Sequence, residues 1–322
     1  MEADLELIGK ITRGAVKVVE ENGAAVFRRF TDEQRDVYVA NADHLLRTKA
    51  NAGIRLEFAT DAKSFGISGR VEAASSRKFC FFDVYVNGAL VRHVGTHSMA
   101  EESEFGFEVK LPEGENRVAV YLPGLSKVFL TELKFNGAKK IVPVEKSRRL
   151  ICYGDSITQG YDAHYPSLAY TNLITDALDA ESVNKAIGGD RFNPPLAALP
   201  DAVKPDLITV AYGTNDWSHA GHEEMRDNAE FFFRNLTTSY PGVPVYAMLP
   251  LWRHDWMRVT DVGTFAEGAQ IIRAAAGKYR NIKVIDGWEL LPHLEECVSD
   301  GLHPNDFGFQ FVARNILRHM EI

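Results

Sequence analysis

The hydrophobic period of this chain changes once, near residue 146, and that single change divides what its 322 residues can fold into. Before it, apolar residues alternate with polar ones. In the stretch 80–95, CFFDVYVNGALVRHVG, Phe82, Val84 and Val86 share a face and Asn87-Gly88 follows them. Asn-Gly is a strong two-residue hairpin signal, because both positions accept the positive φ that a tight turn demands. It recurs at 22–23 and 136–137. Phe105, Phe107, Val109 and Leu111 alternate next. The chain turns at PEGEN and returns through Val118, Val120 and Leu122. A further strand is expected over 128–137, with Phe129, Thr131, Leu133 and Phe135 on one side. Many short strands with regular turns predict an all-β, jelly-roll-like sandwich over residues 1–145.

After a charged link, VPVEKSRR at 142–149, the pattern becomes that of an α/β unit over residues 146–322. Nearly continuous apolar runs of strand length occur at 148–154, 181–187, 206–212, 243–250 and 281–287. Such runs suit parallel strands covered on both faces. Between them lie helical spacings. Tyr170, Leu173, Ile174, Ala177 and Leu178 make one set, and Met225, Ala229, Phe232, Phe233 and Leu236 a second. The last is Phe309, Val312, Ala313, Ile316 and Met320. The expected fold is a three-layer, doubly wound, parallel five-stranded sheet.

Composition narrows the partners. The net charge of −8 provides no basic footprint for nucleic acid or an anionic membrane surface. Three cysteines, Cys80, Cys152 and Cys297, make neither a disulfide framework nor a metal-binding spacing. The N-terminus lacks the apolar core of a signal peptide, and no run approaches the ~18 apolar residues of a membrane span. A cytoplasmic location is the expectation, with a removed leader and homo-oligomerisation both left open.

In an open parallel sheet, ligands bind beyond the carboxyl ends of the strands. The polar segments there are GDSITQG (154–160), GGDR (188–191), GTNDW (213–217), LWRHDW (251–256) and SDGLHPN (299–305). A serine hydroxyl becomes a useful nucleophile when an imidazole takes its proton and a carboxylate orients that imidazole. Ser156, His303 and Asp300 are residues of these types. Backbone N–H groups of glycine turns and an Asn side chain can stabilise an oxyanion. Each residue alone has a plainer role, as a helix cap, a turn residue or packing. Their common place at one end of one sheet is what points to chemistry.

GDSIT (154–158), GGD (188–190), GTND (213–216) and DGLHPN (300–305) together resemble the four ordered blocks of the SGNH, or GDSL-type, hydrolase superfamily. The resemblance implies a flavodoxin-like SGNH fold and a triad of Ser156, His303 and Asp300. It further implies an oxyanion hole made of Ser156, Gly189 and Asn215, with Gly188 the alternative register. No cofactor or metal is implied. The nucleophile lies outside a GxSxG elbow, unlike an ordinary α/β-hydrolase. A sandwich followed by such a unit is similar to the acetylxylan esterases of carbohydrate esterase family two. This similarity implies a small-molecule or oligosaccharide ester as substrate, and deacetylation of an O-acetylated sugar.

Aromatic and polar residues in the same loops are candidates for substrate contact: Trp217, Trp252, His254 and Tyr161, with Trp256, Asp190, Arg191, Asp216, Arg253 and His164 behind them. Packing against the sandwich is their alternative role. The rival activities are a lipase or lysophospholipase, a carbohydrate-binding protein with a vestigial hydrolase unit, and a metallohydrolase using Asp300, His303 and His254.

Overall fold

The computed structural model describes residues 1–320. The first half forms two antiparallel sheets packed face to face. One sheet runs in the order 12–13, 55–60, 116–121, 80–86, 89–96, with 141–143 added on 55–60. The other runs 17–21, 24–28, 126–136, 64–73, 102–110. Asn22-Gly23 and Asn87-Gly88 make the two tight hairpins, all four residues having positive φ. Asn136-Gly137 instead ends a strand, and the segment that follows pairs with 55–60 in the other sheet. The expected common face of Phe129, Thr131, Leu133 and Phe135 is broken by a register shift between Leu130 and Glu132. A bulge of this kind reverses the alternation. Val128, Leu130, Leu133 and Phe135 therefore enter the inter-sheet core, and Phe129 packs on the other face with Ala24 and Val26.

The second half is a parallel sheet of β1 (Arg148–Gly154), β2 (Ala180–Asn184), β3 (Leu207–Ala211), β4 (Val245–Met248) and β5 (Ile282–Ile285). Its order is β2-β1-β3-β4-β5. Strand order reverses between β1 and β3, and this is where doubly wound sheets open a crevice. Alternate residues of the strands feed opposite layers. Leu150 and Leu207 meet Ile174, Phe309, Val312 and Ile316 on one side. Ile151, Tyr153, Ile208 and Val210 meet Phe232, Phe233, Leu236 and Ile272 on the other. The helix over 170–177 departs from its expected face. Ala177 is exposed, whereas Thr171, Asn172 and Thr175 are buried. Buried polar partners explain this. Asn172 Nδ2 donates to Pro166 O at 2.7 Å, and Thr175 Oγ1 to Thr171 O.

Residues 29–51 belong to the N-terminal half in sequence yet pack against the parallel-sheet half. They carry two short helices, Asp32–Asp36 and Ala42–Arg47. Phe30 and Tyr38 join the same core cluster as Phe232 and Trp217. Buried charge pins this segment. Arg29 donates to Asn184 O, at the end of β2, and to Ala186 O just beyond it. Lys185, wholly buried, donates to Arg29 O, Gln34 Oε1 and Asp201 Oδ1, at 2.6, 2.7 and 2.7 Å. Burial pulls the Lys185 ammonium down to about 8, against the pull of Asp201. A second group of contacts joins Arg55 and Tyr121 of the sandwich to Asp176, each at 2.5 Å.

Because a buried ion that loses its partner is uncompensated, Lys185→Met should destabilise the protein by about 3–5 kcal/mol. Urea unfolding should show this as a lower midpoint, and an unchanged midpoint would contradict it.

Candidate active site

The site is built at the carboxyl edge of β1 and β3. Ser156 opens the short helix Ser156–Gln159 directly after β1. Asp155 caps that helix by accepting from Ile157 N at 3.0 Å. Such an abrupt strand-to-helix turn needs glycine at 154. A Cβ there would lie 2.2 Å from Thr158 Oγ1 and 2.9 Å from Ala211 O.

The imidazole comes from the far end of the chain. His303 Nε2 lies 2.7 Å from Ser156 Oγ. His303 Nδ1 lies 2.9 Å from Asp300 Oδ2 and 3.1 Å from Oδ1. The carboxylate fixes the tautomer: Nδ1–H donates to Asp300 and Nε2 accepts from the serine hydroxyl. The turn is held by its own backbone. Asp300 Oδ1 accepts from Leu302 N and His303 N, Ser299 N donates to His303 O, and Gly301 takes φ +78°. The hydrogen bond from His303 and the Arg77 guanidinium hold the Asp300 carboxyl well below the usual carboxylate range.

The other two blocks follow β2 and β3, and the first of them touches the helix that Ser156 opens. Gly188 N donates to Gln159 Oε1 at 2.6 Å, so that N–H is already engaged. Gly189 follows in the left-handed region at φ +82°. Asn215 Nδ2 donates to Asp190 O at 3.0 Å, which orients the amide and leaves its second hydrogen for another acceptor.

The structure thus brings together Ser156, His303 and Asp300; Gly189 and Asn215 lie on the loops after β2 and β3, joined to each other through Asp190 O. It separates out much of the expected substrate set. Trp217 is a correction: it is wholly buried, its Nε1 donates to Gly263 O, and its ring packs on Phe265 at 5.1 Å. A loop tryptophan whose helix turns it inward fills the core and cannot receive a sugar. Asp216 and Asp190 are buried too, accepting from Phe192 N and Tyr38 Oη respectively. Arg253 is spent on Asp255, Thr214 and Ser218. Trp252 is nearly buried and stacks on His293. Tyr161 is buried with its ring 5.5 Å from that of His303, so it backs the imidazole. His164 packs on Phe79, and Arg191 pairs with Glu224 at the surface. His254 is exposed, and its backbone N–H donates to Gly301 O, within the turn that carries Asp300 and His303. Trp256 borders a separate cavity of about 570 Å³, shared with Met257, Phe265, Arg273, Asp286 and Trp288.

Two residues near the imidazole escape sequence reasoning. Arg77, from a loop of the sandwich, donates to Asp162 through Nε and Nη2 at 2.6 and 2.7 Å, and to Asp300 Oδ2 at 2.9 Å. Asp162, Asp300 and His303 present ligand atoms within 4.8 Å of one another, the spacing of a cation site, and the guanidinium bridges the two carboxylates. Only the positive φ of Asp162, +66°, marks it locally, and that is visible in the structure alone.

Beneath the site, burial pushes Asp155, Asp190 and Asp216 each up to about 7. Unfolded, they would titrate near 4. Between about pH 4 and 7 the native chain therefore holds more protons than the unfolded chain. Their stabilising contribution is complete below about pH 4 and is lost as pH rises through about 7. Asp216→Asn keeps the oxygen that accepts from Phe192 N but removes the titration. Its Tm relative to the parent should rise between pH 5 and 8. A constant difference in thermal melts would contradict this.

Residues 152–311 match the model of the GDSL-like lipase/acylhydrolase family. No curated protein sequence matches. Among solved structures, a salicylyl-acyltransferase, SsfX3, from a tetracycline biosynthetic pathway superposes with TM-score 0.80 at 24% identity, over 96% of this chain and 93% of that one. An acetyl xylan esterase, Est2A, from the rumen bacterium Butyrivibrio proteoclasticus gives 0.64 at 15%, over 99% and 98%. A carbohydrate esterase family 2 enzyme with a carbohydrate-binding domain, from Corynascus thermopiles (Myceliophthora fergusii), gives 0.66 at 18%, over 84% and 93%. At these identities the likeness is one of fold, and in the first two it covers nearly the whole chain, sandwich included. The parallel-sheet half of this chain belongs to the GDSL-like lipase/acylhydrolase family, and the protein is a carboxylic ester hydrolase of that type.

Proposed function

We propose that this esterase removes small acyl groups, acetyl in particular, from O-acylated sugars or oligosaccharides through a Ser156–His303–Asp300 triad and a covalent acyl-enzyme. The observation that carries the reading is the 2.7 Å approach of Ser156 Oγ to His303 Nε2, with Asp300 behind Nδ1 at 2.9 Å. In the first step Ser156 Oγ bonds to the ester carbonyl carbon and its proton passes to His303 Nε2. The oxyanion accepts from Ser156 N–H, Gly189 N–H and Asn215 Nδ2–H. Collapse breaks the bond to the alkoxide, which takes the proton from His303. Water then repeats the sequence and releases the acid. These steps need no group beyond the chain's own residues.

The acetyl and sugar parts of the reading lean on two neighbours of the same fold, described as an acetyl xylan esterase and a family 2 carbohydrate esterase. A second reading has an observation of its own. The acyltransferase neighbour superposes with TM-score 0.80. The same acyl-enzyme would then pass its acyl group to an alcohol rather than to water.

Acetate release from a panel of acetylated mono- and oligosaccharides, run beside long-chain esters and alcohol acceptors, separates these readings. Preference for acetylated sugars with water as acceptor supports the first. Preference for long-chain esters, or transfer outpacing hydrolysis, would overturn it. Ser156→Ala should abolish nearly all turnover of p-nitrophenyl acetate, and Asn215→Ala should lower kcat about a hundredfold or more. A fluorophosphonate should label Ser156. Labelling of another residue in an active preparation would rule out the assigned nucleophile.

A further inference from the structure

The geometry points to Arg77 of the sandwich as a positioning residue of the catalytic apparatus. It holds Asp300 on His303 and cancels the charge of a second carboxylate, Asp162, that faces the same imidazole. This inference rests on the triad reading above.

Asp300 is about half exposed; two backbone N–H groups hold its Oδ1, and its Oδ2 is left to side-chain donors. His303 Nδ1 and Arg77 Nη2 both donate to its Oδ2, at 2.9 Å each. The guanidinium reaches this point already fixed. It grips Asp162 with both arms of its fork and lies 5.2 Å from the centre of the Tyr161 ring. Its own backbone is tied down, Arg77 N donating to Ser75 Oγ at 3.1 Å. An ammonium could not bridge two carboxylates with this planar geometry.

The charge balance gives the arrangement its consequence. Among the described residues, four groups face the imidazole besides the Ser156 hydroxyl. Asp300 comes from the same turn, Asp162 and Tyr161 from the segment after the Ser156 helix, and Arg77 from the sandwich. Asp162 Oδ2 lies 3.8 Å from His303 Nδ1. Two uncompensated carboxylates at that distance would favour the protonated imidazole, which cannot accept the serine proton. With Arg77 between them, Asp162, Arg77 and Asp300 sum to one negative charge, that of a simple Asp–His pair. The sandwich thereby supplies a charge to the turn of Asp300 and His303 as well as docking on the sheet.

The test is the pH dependence of kcat/KM for p-nitrophenyl acetate in the parent, Arg77→Met, Asp162→Asn and the double variant. Asn tolerates the left-handed backbone at 162 as Asp does. In Arg77→Met the acid limb should move up by about one pH unit, giving about a tenfold loss at pH 6 that narrows above pH 8. In the double variant the limb should return towards its parental place, and in Asp162→Asn alone it should move to lower pH. A limb that stays in place in Arg77→Met, whether activity falls uniformly or not at all, would overturn the proposal, as would a double variant that keeps the shifted limb. If Arg77→Met fails to fold, Arg77→Gln takes its place, with the same upward shift of the limb expected and an unmoved limb overturning the proposal. Failure of the triad reading would show separately, as turnover retained by Ser156→Ala.

Discussion

The reversal of strand order at β1 is the constraint on which the site depends. Crossovers leave β1 towards β2 on one side, and the chain returns to β3 on the other. The loops that follow these strands diverge, and a crevice opens between them. Ser156, Gly189 and Asn215 follow β1, β2 and β3, so three short polar segments leave the same edge of the sheet although dozens of residues separate them. The terminal turn that carries Asp300 and His303 completes the ring. Its position is set by the helix Asp306–His319, whose apolar face docks beside β1 through Phe309, Val312 and Ile316. The meeting of Ser156 with His303 and Asp300 is a result of sheet topology together with one well-packed helix.

A seam of buried charge then joins this sheet to the sandwich. Arg29, Arg55 and Lys185 sit in it almost wholly removed from water. Groups of this kind add little net stability by comparison with apolar packing, but they tolerate few alternative arrangements, since each mismatch leaves a charge unpaired. Such a seam suits the task of holding two sheets in a fixed relation. Arg77 reaches the catalytic turn from one side of the seam, and a small rotation of the sandwich would withdraw it.

Legibility in the sequence follows the range of the interactions. The parallel sheet, its helices and the Ser156, Asn215 and Asp300/His303 segments could be read because each is encoded in a short window. The helical faces of 222–239 and 306–319 are given by spacing alone, and their buried residues agree with it. Other features depend on distant partners. Arg77 meets residues 85 and 223 positions away, and nothing around it in the chain hints at either. Trp217 shows the reverse failure: its place in a strand-end loop suggests exposure, but the helix it belongs to turns it towards Phe265. The bulge beside Leu130 is a third case, where one extra residue moves Phe129 to the opposite face. Alternation gives the strand but not the slip within it.

The arm over residues 29–51 has a consequence for how such a chain can be recombined. A cut near residue 146 looks clean on the polypeptide, yet it would remove Phe30 and Tyr38 from the larger hydrophobic cluster and strip Lys185 of two acceptors. The halves are interleaved rather than joined end to end. A swap that gave the catalytic sheet a different sandwich would have to bring an equivalent plug for that hole. In this chain the sandwich and the sheet therefore form one unit of exchange, and parting them means replacing the arm as well.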